Sequence, residues 1–140
     1  ENSIFVSEYL FMERRILITG AVLGVTAIIL GAFGAHALKK VLNPDQLTSF
    51  ETGVRYQMYH ALFLLFLSNM TWITLKEKSV VFYLAIIGVL LFSGSIYLLS
   101  TSLLTGLKSK ILGPITPVGG LFLIASWLYF LYALIIKNTN

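Results

Sequence analysis

Four long apolar stretches, separated by short polar connections, dominate this sequence of 140 residues. We place them at about residues 16–38, 54–75, 80–104 and 118–136. Each stretch, as an α-helix rising about 1.5 Å per residue, is long enough to cross a hydrocarbon layer about 30 Å thick. Because lipid offers the backbone no hydrogen bonds, such stretches cross as helices. The pattern predicts an all-α integral membrane protein, an antiparallel bundle of four transmembrane helices.

The composition agrees with a membrane protein and excludes several classes of function. Hydrophobic residues make up 57% of the chain and charged residues 11%, too little polar surface for a soluble domain. The net charge of +4 comes from short connecting loops, which suit lipid phosphates as partners. The sequence has no basic helix and no aromatic RNA-binding platform, so we exclude nucleic acid. It has no cysteine, which excludes disulfides and thiolate metal sites.

The domain organisation is predicted to be simple. A membrane domain at residues 16–137 follows an N-terminal extension, residues 1–15, and precedes a tail, residues 138–140. Met12 and the charged residues after it resemble a translation start, so we expect residues 1–11 to be an upstream extension or a remnant of cloning.

The first span has a second interpretation, a cleaved signal peptide. Two arginines, Arg14 and Arg15, precede an apolar run that ends in Ala35-His36-Ala37, an imitation of a cleavage site. The run is longer than the core of a signal peptide, and its small residues follow a helical pattern. We therefore favour a retained membrane helix.

Small residues predict close packing between helices. Glycine and alanine recur at three- and four-residue steps along the first span, which builds a flat stripe on one helix face. Two adjacent glycines allow the same close approach at the start of the fourth helix. The predicted packing glycines are Gly20, Gly24, Gly31, Gly34, Gly119 and Gly120.

The connections carry signals for helix ends. The sequence Asn-Pro-Asp-Gln at residues 43–46 is typical of a helix start, with a cap residue before proline and glutamine at N3. It predicts a short interfacial helix between helices one and two. We expect residues 76–78 to form a tight polar turn, and Thr116 to cap the fourth helix with Pro117 at its first position.

The topology gathers polar side chains into one half of the bilayer. Helices one and three end there, and helices two and four begin there, whereas the other half is expected to hold mainly plain apolar side chains. Both histidines are predicted to face the bundle interior, and at least one to bond Gln57, Tyr97 or the start of helix four. The predicted cluster consists of His36, Arg55, Gln57, His60, Ser93, Tyr97 and Thr116.

The chemistry of this cluster favours hydrogen-bonded packing over catalysis. We expect His60 to be a neutral hydrogen-bonding group, because burial and nearby positive charge disfavour its protonation. Ligand binding, proton transfer, and a metal or haem site remain alternatives for the two histidines. However, no carboxylate lies within the spans, so a zinc site would be incomplete. We predict no catalytic residue, no metal and no cofactor.

Four segments resemble the signature blocks of a known family. They are GAFGAHAL at residues 31–38, TGVRYQMYHALFLL at 52–65, FSGSIYLL at 92–99 and LGPITPVGG at 112–120. In order and spacing they resemble the YgdD/YwdK family of small bacterial inner-membrane proteins of unknown function, which has relatives in mitochondria. The resemblance implies a four-helix membrane protein and supplies no activity, substrate or catalytic residue. The N-terminal extension departs from the family pattern.

Two functions of different classes follow. The first is a structural or accessory subunit that assembles with itself or with a larger membrane complex, with membrane lipids as its surroundings. The alternative is a binding or transport module for a small anion or an anionic lipid headgroup, because helix N-termini and Lys39, Lys40 and Arg55 direct positive charge toward the cluster. The expected location is the bacterial inner membrane. The flanking charges balance, and the first helix's arginines favour cytoplasmic termini.

Overall fold

A computed structural model describes residues 2–137, and within this range the chain is helical, with no β-strand. Short connections join four long helices to one another, and the last connection contains two helices of a single turn. In chain order the elements are α1 (Asn2–His36), a 3₁₀ turn (Leu38–Lys40), α2 (Pro44–Asn69), α3 (Leu75–Ser100), α4 (Ser102–Thr105), α5 (Ser109–Leu112) and α6 (Ile115–Lys137).

The long helices pack in the order of the chain. Within the described residues, α1 packs mainly on α2, α2 on α3, and α3 on α6, so the helices form a row and not a closed square. One end of the row, here called the loop side, holds residues 37–43 and 101–114. The other end, the terminal side, holds the start of α1, residues 70–74 and the end of α6. By length and composition α1, α3 and α6 are able to cross a membrane.

The start of α2 confirms the predicted helix signal. The Asn43 side chain accepts a bond from the Gln46 N–H at 2.9 Å, and the Gln46 side chain accepts one from the Asn43 N–H at 3.0 Å. Pro44 occupies the first turn. The helix then continues unbroken to Asn69, so the predicted interfacial helix and the second span are one element.

The predicted polar turn at residues 76–78 is wrong, because these residues form the first turn of α3. Thr74 and Glu77 form a second capping box, in which the Thr74 N–H donates to Glu77 Oε2 at 2.6 Å. The Glu77 N–H donates to Thr74 Oγ1 at 3.3 Å. The chain turn lies earlier, at residues 70–74, and α2 ends before the predicted limit at residue 75.

The remaining helix ends also differ from the predicted limits. The helix of the first span begins at Asn2, so most of the predicted N-terminal extension forms the first part of α1. The last long helix begins at Ile115, which places Thr116 and Pro117 inside its first turn and not at a cap. Residue 1 and the predicted tail, residues 138–140, lie outside the described residues.

Glycines permit the closest helix contacts. A Cβ at Gly119 would collide with the backbone of Phe92, and one at Gly88 would lie 2.5 Å from the Leu123 side chain, so α3 and α6 nearly touch. A Cβ at Gly20 would lie 3.1 Å from the Ala61 carbonyl oxygen. A Cβ added at Gly34 would lie 3.1 Å from its nearest neighbouring atom. At Gly24, Gly31 and Gly120 the corresponding distances are 3.9, 3.4 and 3.8 Å, which are ordinary van der Waals contacts.

Candidate functional site

Gln57 lies at the centre of the polar contacts among α1, α2 and α3. Its Nε2 donates to the Leu23 carbonyl oxygen at 2.9 Å and to Thr26 Oγ1 at 2.7 Å, both on α1. Its Oε1 accepts a bond from the Tyr97 hydroxyl of α3 at 2.7 Å. One buried amide therefore holds three helices together, and both of its ends are in use.

Ser93 and Tyr97 share one face of α3, as their spacing predicts, and both meet α2. The Ser93 hydroxyl donates to the Gly53 carbonyl oxygen at 2.7 Å. The Tyr97 ring packs on Phe50, with ring centroids 5.0 Å apart, and leaves no space for a side chain at Gly53. Gly53 is thus a close packing position that the glycine pattern of the sequence did not include.

His60 bonds to its own helix and to α6. Its Nδ1 lies 2.7 Å from the Tyr56 carbonyl oxygen, and Trp127 Nε1 donates to its Nε2 across 3.1 Å. A carbonyl only accepts and an indole N–H only donates, so the network assigns the hydrogen to Nδ1 and a neutral ring. The predicted partners of His60 are wrong, since the side-chain partner is Trp127, twelve residues beyond the start of α6.

Side-chain hydroxyls join α3 to α6. Ser95 Oγ and Thr116 Oγ1 are 2.6 Å apart on the loop side. Toward the terminal side, Ser126 Oγ donates to the Val81 carbonyl oxygen at 2.9 Å. Of these residues only Thr116 is predicted from the sequence, because isolated serines in an apolar helix carry no pattern of their own.

His36 and Arg55 do not join the other predicted residues. His36 is exposed at the end of α1, and Arg55 is exposed and donates to Thr52 Oγ1 of its own helix at 3.0 Å. The prediction that both histidines face the interior is wrong for His36. Gly34 faces α2, and a residue two positions later lies about 200° round the helix, which directs His36 outward.

The predicted cluster is therefore a set of separate contacts between helices. Among the described residues, every buried side-chain nitrogen or oxygen has a hydrogen-bond partner. Within the same range, no group of three or more His, Cys, Asp or Glu side chains is arranged to hold a metal ion. These hydrogen bonds link the helices to one another, and the buried polar atoms that form them already have partners within the protein.

A buried ion pair on the terminal side is not among the contacts predicted from the sequence. Lys78 has an exposed fraction of 0%, and its Nζ lies 2.6 Å from Glu13 Oε1. The same nitrogen donates to the Ser68 carbonyl oxygen at 2.9 Å and to the Tyr9 hydroxyl at 3.3 Å. All three donors of the ammonium are thus satisfied by groups on α1 and α2.

A second ion pair lies on the same side. Lys137 Nζ is 3.6 Å from Glu77 Oε2, which links the end of α6 to the start of α3. The expectation that this half holds mainly plain apolar side chains is therefore wrong at its end. The signal was available, since Thr74 and Glu77 match a capping box that places Lys78 in the first turn of a helix.

Long apolar helices joined by buried hydrogen bonds define the class of the molecule, a helical membrane protein. Residues 30–120 match the model of the family described as "Protein of unknown function (DUF423)". The chain belongs to this family of UPF0382 membrane proteins, and the resemblance to YgdD and YwdK is confirmed. No solved structure is significantly similar to it.

Three relatives illustrate the similarity. The UPF0382 membrane protein YwdK of Bacillus subtilis is 38% identical over 84% of this chain and 93% of its own. The UPF0382 membrane protein SH2409 of Staphylococcus haemolyticus is 37% identical over 82% of this chain and 90% of its own. The UPF0382 inner membrane protein YgdD of Escherichia coli is 35% identical over 82% of this chain and 85% of its own. These names describe membrane proteins and state no reaction.

Proposed function

We propose that this membrane protein is a structural or accessory subunit. It would be a bundle of four spanning helices that assembles with copies of itself or with a larger membrane complex. The proposal rests on one observation, that the buried polar atoms are engaged in hydrogen bonds within the protein. Gln57, His60 and Ser93 bond to other helices or to their own backbone, and so act as links between helices. We propose no catalytic role, no metal and no cofactor.

The packing of α2 supports four spans. This helix has 26 residues, which corresponds to about 39 Å. It packs between α1 and α3, which are long and apolar enough to cross a membrane. An antiparallel helix held between two spanning helices crosses with them, and its polar side chains Gln57 and His60 are covered by protein. The first turns of α2, residues 44–53, would then lie in the interface on the loop side.

Assembly would use the apolar outer face of the row. Val25, Ile28 and Ile29 of α1 are exposed within the part of the helix that would lie in lipid. We further propose the bacterial inner membrane as the location, in line with the name of the Escherichia coli relative, an inner membrane protein. We also propose cytoplasmic termini.

Co-purification tests this proposal. The protein would be purified from its native membrane in a mild detergent, and the mass of the complex measured. We expect a defined stoichiometry of copies or partner subunits, which Ile28→Trp disrupts and Leu121→Trp on α6 leaves intact. A protein that is monomeric and free of stoichiometric partners under all mild detergents would contradict the proposal.

The second function, binding of a small anion or anionic headgroup, keeps only part of its support. Gln57, Tyr97 and Thr116 are paired with other protein groups and offer an anion no free donor. Arg55 is the member of the predicted cluster that is exposed and cationic. Because Arg55 is exposed and cationic, it is the residue at which we propose that an anion would bind.

A further inference from the structure

An apolar groove runs along the bundle between α2 and α6. Its volume is about 680 Å³, and it exists because both helices pack on α3 and not extensively on each other. Tyr56 and His60 of α2 and Phe92 of α3 form part of its lining. The lining of α6 runs from Gly120 to Leu134, about 21 Å along the helix.

The lining selects an apolar ligand. Most of it is leucine, isoleucine and phenylalanine, and its polar side chains are Tyr56, His60 and Trp127. The Trp127 N–H is directed at His60 Nε2, and the other ring nitrogen of His60 bonds the Tyr56 carbonyl oxygen. Two of the three polar side chains are thus occupied by each other, and the groove offers mainly hydrocarbon surface.

The shape of the groove selects a thin ligand. A volume of 680 Å³ spread over this length gives a mean cross-section of about 32 Å². An α-helix with its side chains is about 10 Å across and needs about 80 Å². A hydrocarbon chain, whose atoms meet their neighbours at about 4 Å, fits the smaller section. A hydrocarbon chain would therefore lie within this groove, whereas a helix from a second copy would protrude from it.

A cation lies at the loop-side end of the groove. Arg55 directly precedes Tyr56, and its guanidinium bonds Thr52, which lies one helical turn before Tyr56. Among the described residues, no carboxylate forms an ion pair with Arg55, although Glu51 lies one turn before it. Tyr56 and Tyr59, with ring centroids 5.7 Å apart, are the aromatic side chains expected at the level of lipid headgroups.

We propose that this groove binds an acyl chain of an anionic phospholipid, with the phosphate at Arg55. The apolar lining and the narrow section specify the chain, and the guanidinium beside Tyr56 specifies the negative headgroup. The proposal goes beyond the structural role, because the bundle assembles through its outer faces whether or not the groove is filled.

Native mass spectrometry tests the site with phosphatidylglycerol and phosphatidylcholine as the probes. Ile124→Trp fills the groove, because Ile124 lines it and is 57% exposed. Leu121→Trp is the matched control, since Leu121 is 66% exposed on the same helix and is not part of the lining. We expect Ile124→Trp to weaken phosphatidylglycerol binding at least about tenfold and Leu121→Trp to leave it unchanged. Arg55→Gln should remove the preference for phosphatidylglycerol and retain binding of both lipids.

Equal binding by the two tryptophan variants, or no lipid bound to the unmodified protein, would overturn the proposal. A loss of oligomers in Ile124→Trp with unchanged lipid binding would also overturn it, because a second copy would then fill the groove. Thermal unfolding of each variant establishes that it is folded. The same spectra report the oligomeric state, so that failure of lipid binding and failure of assembly are read separately.

Discussion

The two ends of this bundle are held together by different chemistry. On the terminal side, the charged pairs Glu13–Lys78 and Glu77–Lys137 join the helices. Toward the loop side, neutral bonds such as those between Gln57 and Tyr97 and between Ser95 and Thr116 do the same work. An isolated charge in hydrocarbon is very costly, whereas a neutral pair between membrane helices contributes about 0.6 kcal/mol and at most about 1.7 kcal/mol. The terminal side is therefore the more sensitive to loss of one partner.

The largest effect is expected for Glu13→Leu, which leaves the fully buried Lys78 ammonium without its counter-ion. Breaking a buried ion pair costs about 3–5 kcal/mol of the free energy of unfolding. Unfolding in detergent measures the loss. Lys78→Met should cost less, because the Glu13 side chain is 23% exposed and water reaches it. The double variant should recover much of the stability, and additive losses would contradict the importance of this pair.

A steric effect of similar size is expected at the contact between α3 and α6. Gly119→Val places carbon atoms against the backbone of Phe92, which has no freedom to move aside. Overpacking of this kind costs about 1–3 kcal/mol, and more where backbone must shift. Gly94→Val is the matched control on α3, because a Cβ there meets nothing within 4 Å. Equal melting temperatures for the two variants would show that the helices are not in such close contact.

A smaller effect is expected from Gln57→Leu, toward the loop side, where the helices are joined by neutral hydrogen bonds. The substitution removes two bonds to α1 and leaves the Tyr97 hydroxyl without its acceptor. We expect a loss of about 1–2 kcal/mol in the free energy of unfolding. Tyr97→Phe, which removes one bond and keeps the ring against Phe50, should cost less. If Gln57→Leu lowered the free energy of unfolding as much as Glu13→Leu, the proposed difference between the two ends would be contradicted.

Substitutions at the two histidines should have effects no larger than that of Gln57→Leu, and the effects at His36 and His60 should differ. His60→Gln retains a hydrogen-bond acceptor for the Trp127 indole and should unfold close to the unmodified protein. His60→Leu leaves that donor unpaired and should cost about 1–2 kcal/mol. His36→Leu should have almost no effect, because His36 is exposed. Thermal unfolding of the three variants compares them directly, and an equal loss at His36 and His60 would contradict the contacts described here.

Much of the fold was accessible from sequence, because helix starts and apolar runs are local patterns. The α2 capping box at Asn43 and Gln46 is an example. The same signal at Thr74 and Glu77 marks the start of α3, which the predicted polar turn at residues 76–78 places too late.

The site was less predictable, because it depends on which face of each helix is buried. Topology indicated Gln57 and Tyr97 correctly as hydrogen-bonding groups between helices. It could not reveal that His36 points outward or that Trp127 is the partner of His60, since helix rotation decides both. The Glu13–Lys78 pair joins residues 65 positions apart, and no local pattern connects them.

Site-directed thiol labelling tests whether α2 crosses the membrane with its neighbours. The chain has no cysteine, so single cysteines at the exposed positions Lys40, Lys76 and Lys108 need no altered background. Intact cells would be treated with a membrane-impermeant thiol reagent, and broken cells would serve as the control for reactivity. We expect Lys40→Cys and Lys108→Cys to be labelled from one side of the membrane and Lys76→Cys from the other. Labelling of all three positions from the same side would contradict this expectation.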